Sequence, residues 1–191
     1  MLRFDEPPPS LAAGGVRLRL AAERDIPEVL IAHQDDPGLA RALGLTRPPS
    51  GAELGRRVEG TAAERANGAG VWLTVLRDGD DECRGQLDVE DVDSDHRRAA
   101  LRIWIAPRDR GRGLGRAALS LAARWLLTDC GLERVALEAD AAGDTPLHHA
   151  ALAAGFRSEG VLRGHRLGAD GRRADVEVLS LIIADLGDES A

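Results

Sequence analysis

The sequence predicts an α/β (α+β) domain built on one mixed, mostly antiparallel sheet with helices on both faces. The segment VRLRL, from Val16, alternates apolar and polar residues, which is typical of a strand with one buried face. VWLTVLR, from Val71, and RGQLDVEDV, from Arg84, flank the turn DGDDE and predict a hairpin. Later strands alternate with two helices, which indicates crossover connections within the same sheet.

The first third of the chain is predicted to be mainly helical. ERDIPEVLIAHQ is typical of a helix that has Pro27 in its first turn. Residues 35–47 are compatible with a helix or a loop. In PPSGAELGRRVEGTAAERANG, Ser50 and Glu53 form a capping-box pattern, so a helix is expected from this point to about Asn67.

The second half alternates strands and helices. HRRAALRIWIAP predicts a strand that ends at Pro107, and a helix is expected from Leu114 to Cys130, closed by Gly131. RVALEAD predicts the next strand, and TPLHHAALAA a short helix that starts near Pro146. FRSEGVLRGHRL and DVEVLSLIIAD then predict the last two strands.

The chain is predicted to contain one domain between two short ends. Its 191 residues are an ordinary length for one domain, and no repeat or long linker divides them. Residues 1–14, which contain PPP and GG, are expected to form a flexible arm. Residues 15–187 would form the domain, and residues 188–191 a tail.

Composition excludes several classes of protein. The formal net charge of −7 argues against a nucleic-acid-binding protein. All 25 basic residues are arginine, which excludes a Schiff-base lysine. Cys83 and Cys130 share no metal or redox spacing, which favours free thiols in a reducing cytoplasm. No apolar run approaches the roughly 18 residues of a membrane span, so a cytoplasmic protein without metal or membrane partner is expected.

A glycine-rich loop enters the helix predicted at Leu114. Its glycines would present backbone N–H groups without a Cβ in the way, and the helix dipole adds positive charge. Three arginines could donate paired hydrogen bonds to phosphate oxygens. The loop therefore predicts a pyrophosphate site, although a tightly packed turn with surface arginines is the simpler alternative. The residues concerned are Arg110, Gly111, Arg112, Gly113, Leu114, Gly115 and Arg116.

The same loop also satisfies a dinucleotide pattern. Gly113, Gly115 and Ala118 fit G-x-G-x-x-A, and Glu138 lies at the usual spacing for a ribose partner. In that pattern the first glycine directly follows its strand, whereas PRDR intervenes here after Ala106. Too little chain remains for a doubly wound sheet, so a nucleotide enzyme is disfavoured.

The loop RGRGLG, from Arg110 to Gly115, matches the R-x-x-G-x-G acetyl-coenzyme A loop of GNAT acetyltransferases. The chain most resembles the RimJ/RimL-like branch of that superfamily, in LRIWIAP, QDDPGLARAL, the pair Gly155-Phe156 and the E-G-x-x-R run from Glu159. The resemblance spans roughly residues 16–186. It implies a GNAT sheet with splayed central strands, and an N-acetyltransferase that moves an acetyl group from acetyl-CoA to a primary amine within a ternary complex.

The resemblance also implies roles for residues. The backbone of Ile103, Trp104 and Ile105 would bind the pantetheine arm, and the loop with Arg116 would bind the pyrophosphate. Asp144, at the position where the branch carries asparagine, would also bind the cofactor. The acceptor would be a protein N-terminal α-amine or a small-molecule amine. Dimers occur in the branch, so a homodimer is left open.

The group that takes the amine proton is less well defined. The branch often carries a glutamate four residues before the central tryptophan and a serine in the late helix, whereas this chain has Ala100 and Leu147, and no tyrosine anywhere. These departures leave a non-catalytic acyl-CoA-binding sensor as an alternative to the enzyme. We favour the enzyme.

Two carboxylates are candidates for the catalytic base. Glu138 shares a strand face with Asp140, whose charge would raise its pKa. Glu90, near Asp88, is the second candidate; the alternative for all four is a solvated surface charge. His148 and His149 are adjacent in a helix, so at most one can point inward. His96 and His165 are expected to be structural.

Overall fold

The computed structural model describes residues 11–141, 145–168 and 171–186, and these residues form one eight-stranded sheet. The strands are β1 (Leu11–Ala13), β2 (Val16–Leu20), β3 (Val71–Arg77), β4 (Gly85–Asp93), β5 (Arg98–Ile105), β6 (Arg134–Asp140), β7 (Arg157–Leu167) and β8 (Arg173–Ile182). Their order is β1-β2-β3-β4-β5-β6-β8-β7, and β5–β6 is the parallel pair among antiparallel ones. The predicted mixed, mostly antiparallel sheet is confirmed.

Helices cover both faces of the sheet, as predicted. The helices are α1 (Ile26–Asp35), α2 (Leu39–Ala42), α3 (Gly51–Ala66), α4 (Leu114–Thr128) and α5 (Pro146–Ala153). The capping box of α3 is confirmed, since the Glu53 N–H donates to Ser50 Oγ at 3.3 Å and the Ser50 N–H donates to Glu53 Oε2 at 2.8 Å. No helix within the described residues has the length and apolar character that a membrane crossing needs.

The predicted loose arm is wrong for residues 11–13. Leu11–Ala13 pair with β2 through a tight turn at Gly14 and Gly15. Both glycines have positive φ, 62° and 77°, which a two-residue hairpin turn of this hand requires. Leu11 packs against the hydrophobic core, which holds the short strand in place. Residues 1–10 and 187–191 lie outside the described residues.

Two hydrophobic cores lie on opposite faces of the sheet. On one face α4 packs closely, because its Ala118, Ala122 and Ala123 are small and fully buried. On the other face, side chains of α1, α2 and α3 pack around Trp72 and Trp104. Alternation along β5 therefore directs Ile103 toward the α4 face and Trp104 toward the opposite face.

The parallel strands β5 and β6 separate part-way along their length. They pair from Arg98–Arg134 to Leu101–Leu137 and no further. Beyond that point β5 continues with β4 alone, and β6 with β8 alone. Backbone groups of residues 102–105 that face β6 consequently have no ladder partner across the split. The splayed central strands are confirmed.

Candidate active site

The larger cavity, of about 670 Å³, opens at the split between β5 and β6. It lies between the separated strand ends, the glycine loop, the first turn of α4, the start of α5 and the segment around α2. Most of the residues that the sequence singled out meet here: the lining contains Ile103, Trp104, Ile105, Arg110, Gly111, Gly113, Leu114, Gly115, Arg116 and Glu138. Arg112 does not line this cavity, and Asp144 lies outside the described residues.

The glycine loop presents a series of free amides to this cavity. Gly111 and Gly113 adopt left-handed backbone conformations, with φ of 73° and 80°. Within the described part of the chain, no hydrogen bond engages the N–H groups of residues 111–116; the first engaged amide is that of Ala117, which donates to Gly113 O at 3.0 Å. Free amides at a helix N-terminus form a site for an anion.

The three loop arginines differ in what they contact. Arg110 donates from Nε to Ile105 O at 3.0 Å and from Nη2 to Asp36 Oδ2 at 2.6 Å, so its guanidinium is engaged within the protein. Arg112 is exposed, and its contact with Asp109 is 3.7 Å long. Arg116 lines the cavity and makes no ion pair with any described residue. Arg116 is therefore the arginine best placed for an anion.

Asp109 is a site residue that sequence reasoning missed. Its side chain is 2% exposed and pairs with two arginines. Arg77, at the end of β3, contributes Nη2 at 2.9 Å, and Arg84, just before β4, contributes Nη1 at 3.5 Å. These contacts fix the start of the glycine loop to the sheet. The signal was a lone acidic residue within the arginine-rich run PRDRGR.

The smaller cavity, of about 280 Å³, continues from the larger one. Both cavities are lined by Leu43, Ile103, Glu138, Leu147 and Arg166. The smaller one adds charged groups to an apolar floor: its other lining residues include Glu90, Asp91, Ala100, Arg102, Leu137 and Val178. The two cavities therefore adjoin each other at the split.

Comparison with known proteins agrees with this geometry. A family model described as an acetyltransferase (GNAT) domain matches residues 16–157. The chain is a GNAT acetyltransferase. Its class is that of an acetyl-CoA-dependent acyltransferase, which favours the predicted enzyme over a non-catalytic module.

Solved structures of acetyltransferases share the fold. Mycobacterium smegmatis RimJ in complex with CoA-disulfide has a TM-score of 0.74 and 23% identity, over 91% of this chain and 84% of that one. The microcin C7 self-immunity acetyltransferase MccE, solved with acetyl-CoA and AMP, has a TM-score of 0.77 and 17% identity, over 91% of this chain and 99% of that one. The Salmonella typhimurium acetyltransferase that modifies the N-terminal serine of ribosomal protein L7/L12 has a TM-score of 0.74 and 17% identity, over 90% of this chain and 96% of that one.

These neighbours are consistent with the RimJ/RimL-like branch, and at such identities they establish the fold. A search of curated protein sequences returned no match.

Glu90 is the half-buried carboxylate of the acetyltransferase's smaller cavity. Its Oε1 accepts a hydrogen bond from Arg102 Nη2 at 2.5 Å. Burial raises the pKa of Glu90 above its usual value, and the positive charge of Arg102 offsets only part of that effect. Asp88, its predicted companion, is buried against Arg57 at 2.8 Å and lines neither of these two cavities.

Glu138 lines both cavities and is more exposed than Glu90. It contacts His165 Nε2 at 3.2 Å and Arg166 Nη2 at 3.4 Å, and Arg166 Nη1 also binds Asp140 at 3.0 Å. Arg166 therefore lies between the two carboxylates, so they are not the isolated like-charge pair that the sequence suggested. His165, expected to be structural, instead borders the site.

The adjacent histidines of α5 point in different directions, as predicted. His149 lines the larger cavity. His148 lies near β8, where its Nε2 is 3.3 Å from Glu177 Oε2. His148 consequently takes no part in the cavity lining.

Proposed function

We propose that this acetyltransferase transfers the acetyl group of acetyl-CoA to a primary amine by direct attack within a ternary complex. The observation that carries the proposal is that two cavities adjoin at the β5–β6 split and share lining residues. A donor bound in the larger cavity and an acceptor bound in the smaller one would meet beside Ile103 and Glu138. Holding two reactants together in this way supplies much of the rate of a bimolecular reaction.

The larger cavity has the chemistry that acetyl-CoA requires. The part of the Ile103–Ile105 backbone that faces the split would bind the pantetheine arm, as a neighbouring strand would, although Arg110 Nε already holds the Ile105 carbonyl at 3.0 Å. The free amides of residues 111–116 and the guanidinium of Arg116 would bind the pyrophosphate. When bound, acetyl-CoA would supply a thioester: the amine would form a C–N bond to its carbonyl carbon, the C–S bond would break, and CoA would leave as a thiolate that takes up a proton.

Glu90 is the better candidate for the group that takes the amine proton. An attacking amine must be neutral, and a partly buried carboxylate with a raised pKa is a stronger base than a solvated one. Arg102 holds the carboxylate in place at the wall of the smaller cavity. Glu138, which the sequence placed first, is more exposed than Glu90 and is already engaged by His165 and Arg166.

Direct attack is favoured over a covalent acyl-cysteine. Cys83 and Cys130 are both buried, and burial raises the pKa of each thiol to about 12. A thiol with such a pKa is almost wholly protonated at neutral pH and is a poor nucleophile. Neither residue lines either cavity.

The smaller cavity suits an alkylammonium acceptor. Three carboxylates, of Glu90, Asp91 and Glu138, face two guanidinium groups, which leaves an excess of negative charge over an apolar floor. Its volume of about 280 Å³ is enough for one residue of a protein N-terminus or for a small-molecule amine. The Salmonella neighbour that modifies an N-terminal serine supports the first of these two classes.

Initial-rate kinetics on a defined acceptor would test the proposal. Mass spectrometry of a mixed pool of peptides, polyamines, aminoglycosides and amino acids incubated with acetyl-CoA identifies the acceptor. Intersecting double-reciprocal lines are expected for a ternary complex. Parallel lines would indicate a covalent intermediate, and CoA binding without any acetylated amine would contradict the proposed acceptor class.

A further inference from the structure

We propose that Arg110 is a positioning residue that couples the glycine loop to the wall of the acceptor cavity through its ion pair with Asp36. The proposal rests on the proposed function in placing the donor at the glycine loop and the acceptor in the smaller cavity. It reassigns Arg110, which the loop motif suggested as a phosphate ligand. The contacts of Arg110 and of Asp36 each support it.

Arg110 uses two separate donors to join two parts of the protein. Its Nε binds Ile105 O, the carbonyl at the end of β5, at 3.0 Å. Its Nη2 binds Asp36 Oδ2, in the connection between α1 and α2, at 2.6 Å. A guanidinium can make both contacts because its N–H groups point in fixed, divergent directions, whereas a lysine ammonium is a single point of charge.

Asp36 in turn holds the backbone of the segment that follows it. Its Oδ1 accepts the N–H of Gly38 at 3.0 Å, and its carbonyl accepts the N–H of Leu39 at 3.0 Å. The hydrogen bond from Arg110 is the main reason that the pKa of Asp36 lies below its usual value. The ion pair is therefore fixed at both ends.

The segment held by Asp36 forms part of both cavities. Leu39 and Asp36 itself line the larger cavity, and Ala42 and Leu43 line the larger and the smaller one. A ligand that orders the glycine loop would thus order residues 36–43 through Arg110. Donor binding would in this way complete the wall against which the acceptor packs.

Kinetics of three variants distinguish a positioning role from phosphate binding. We expect Arg110→Lys, Asp36→Asn and the double variant each to raise the acceptor KM about three- to fivefold, the range of a partly exposed ion pair. The double variant should be no worse than either single one, because both remove the same contact. The affinity for CoA, measured by calorimetry, should change by the same factor in Arg110→Lys and Asp36→Asn, whereas the loss of a phosphate ligand would weaken it in Arg110→Lys alone.

The opposite pattern would overturn the proposal. If Arg110 were a phosphate ligand, Asp36→Asn would leave the acceptor KM unchanged, and the effects of the two substitutions would be independent. Arg97→Lys and Glu133→Gln are matched controls, since Arg97 Nη1 and Glu133 Oε1 form an exposed ion pair of 2.8 Å outside both cavities. Neither control should move either KM.

Hydrogen exchange gives a readout that does not depend on any acceptor. With CoA as the probe, amides 111–116 and 36–43 should both become protected in the parent protein. In Asp36→Asn, protection of 111–116 should persist while that of 36–43 is lost. Absence of CoA-dependent protection at 36–43 in the parent overturns the coupling, whereas its presence in a protein that acetylates no amine overturns only the proposed function.

Discussion

Glu90 on β4 lies directly opposite Ala100 on β5, and both residues line the smaller cavity. Cross-strand partners have Cβ atoms about 5 Å apart on one face of a sheet. Ala100 is the position at which the RimJ/RimL-like branch often carries glutamate. The neighbouring strand therefore brings a carboxylate to the same part of the sheet, and this relationship makes Glu90 the first residue to test.

Glu90→Gln is expected to lower kcat about 100-fold, because removing a general base typically costs at least that factor. In the parent protein, the rate should fall as pH falls through the raised pKa of Glu90, since the protonated carboxyl cannot accept the amine proton. This acidic limb of the pH–kcat profile should disappear in the variant. Steady-state kinetics between pH 4 and pH 9 measure both effects.

A cross-strand rescue provides the control for Glu90. If a carboxylate at this place is what matters, Glu90→Ala combined with Ala100→Glu should recover a substantial part of the rate lost in Glu90→Ala alone. Glu138→Gln should affect kcat less than Glu90→Gln does. A larger loss in Glu138→Gln would reassign the base to β6.

Gly113→Ala should weaken CoA binding about tenfold, since losing one amide-to-phosphate hydrogen bond has roughly that effect. The φ of 80° at Gly113 is unfavourable for alanine, so the loop must shift and redirect its free amides. Calorimetry with CoA gives the dissociation constant.

Gly79→Ala is the matched control for the glycine loop. Gly79 has a φ of 89°, and neither glycine has an atom within 4 Å of an added Cβ, so the two substitutions impose similar backbone strain. Both should lower Tm by a similar amount. Only Gly113→Ala should change the affinity for CoA. If the Gly113→Ala and Gly79→Ala variants bound CoA equally well, the glycine loop would not be the anion site.

Asp25→Asn should destabilise the fold by about 3–5 kcal/mol at pH 7, the usual cost of breaking one side of a buried ion pair. Asp25 is 2% exposed and binds Arg19 through both oxygens, at 2.7 and 2.8 Å, and Thr74 Oγ1 at 2.7 Å. Urea unfolding of parent and variant measures the difference.

The effect of Asp25 should depend on pH. Burial disfavours its charged form, but the hydrogen bonds from Arg19, Thr74 and the Ala22 N–H outweigh that effect and leave the pKa below 3.8. Stability from the carboxylate is therefore complete above the unfolded pKa and is lost as pH falls through the lower folded one. A parent–variant difference that grew below pH 4 would contradict this assignment.

The cysteines should be dispensable for turnover. Cys83→Ala with Cys130→Ala is expected to retain kcat within about twofold, while losing about 1–2 kcal/mol of stability from the two small cavities left behind. In the parent, a thiol reagent at pH 8 should react only after denaturant is added, because burial raises both pKa values to about 12. Inactivation of the folded enzyme by the reagent would reopen the covalent route.

Local sequence was sufficient for most of the elements of this fold. The capping box at Ser50 and the helix entered through the glycine loop were predicted because each depends on contacts among neighbouring residues. The strand RVALEAD was predicted because its seven residues are long enough to show an alternating pattern. The strand Leu11–Ala13 was missed because three residues carry no usable periodicity, and only pairing with β2 defines it. The loop motif likewise predicted the free amides at the start of α4, since they are a local property of a helix N-terminus.

Only the tertiary structure determined which charged side chains form ion pairs with each other. The sequence could not show that Arg110 binds Asp36 rather than solvent, that Arg166 lies between Glu138 and Asp140, or that Asp109 binds Arg77. Residues in these ion pairs lie 26 to 74 positions apart along the chain, so no local pattern encodes them. Strand register and the β5–β6 split determine these distances, and Coulomb interactions and desolvation depend on distance and burial rather than on residue order.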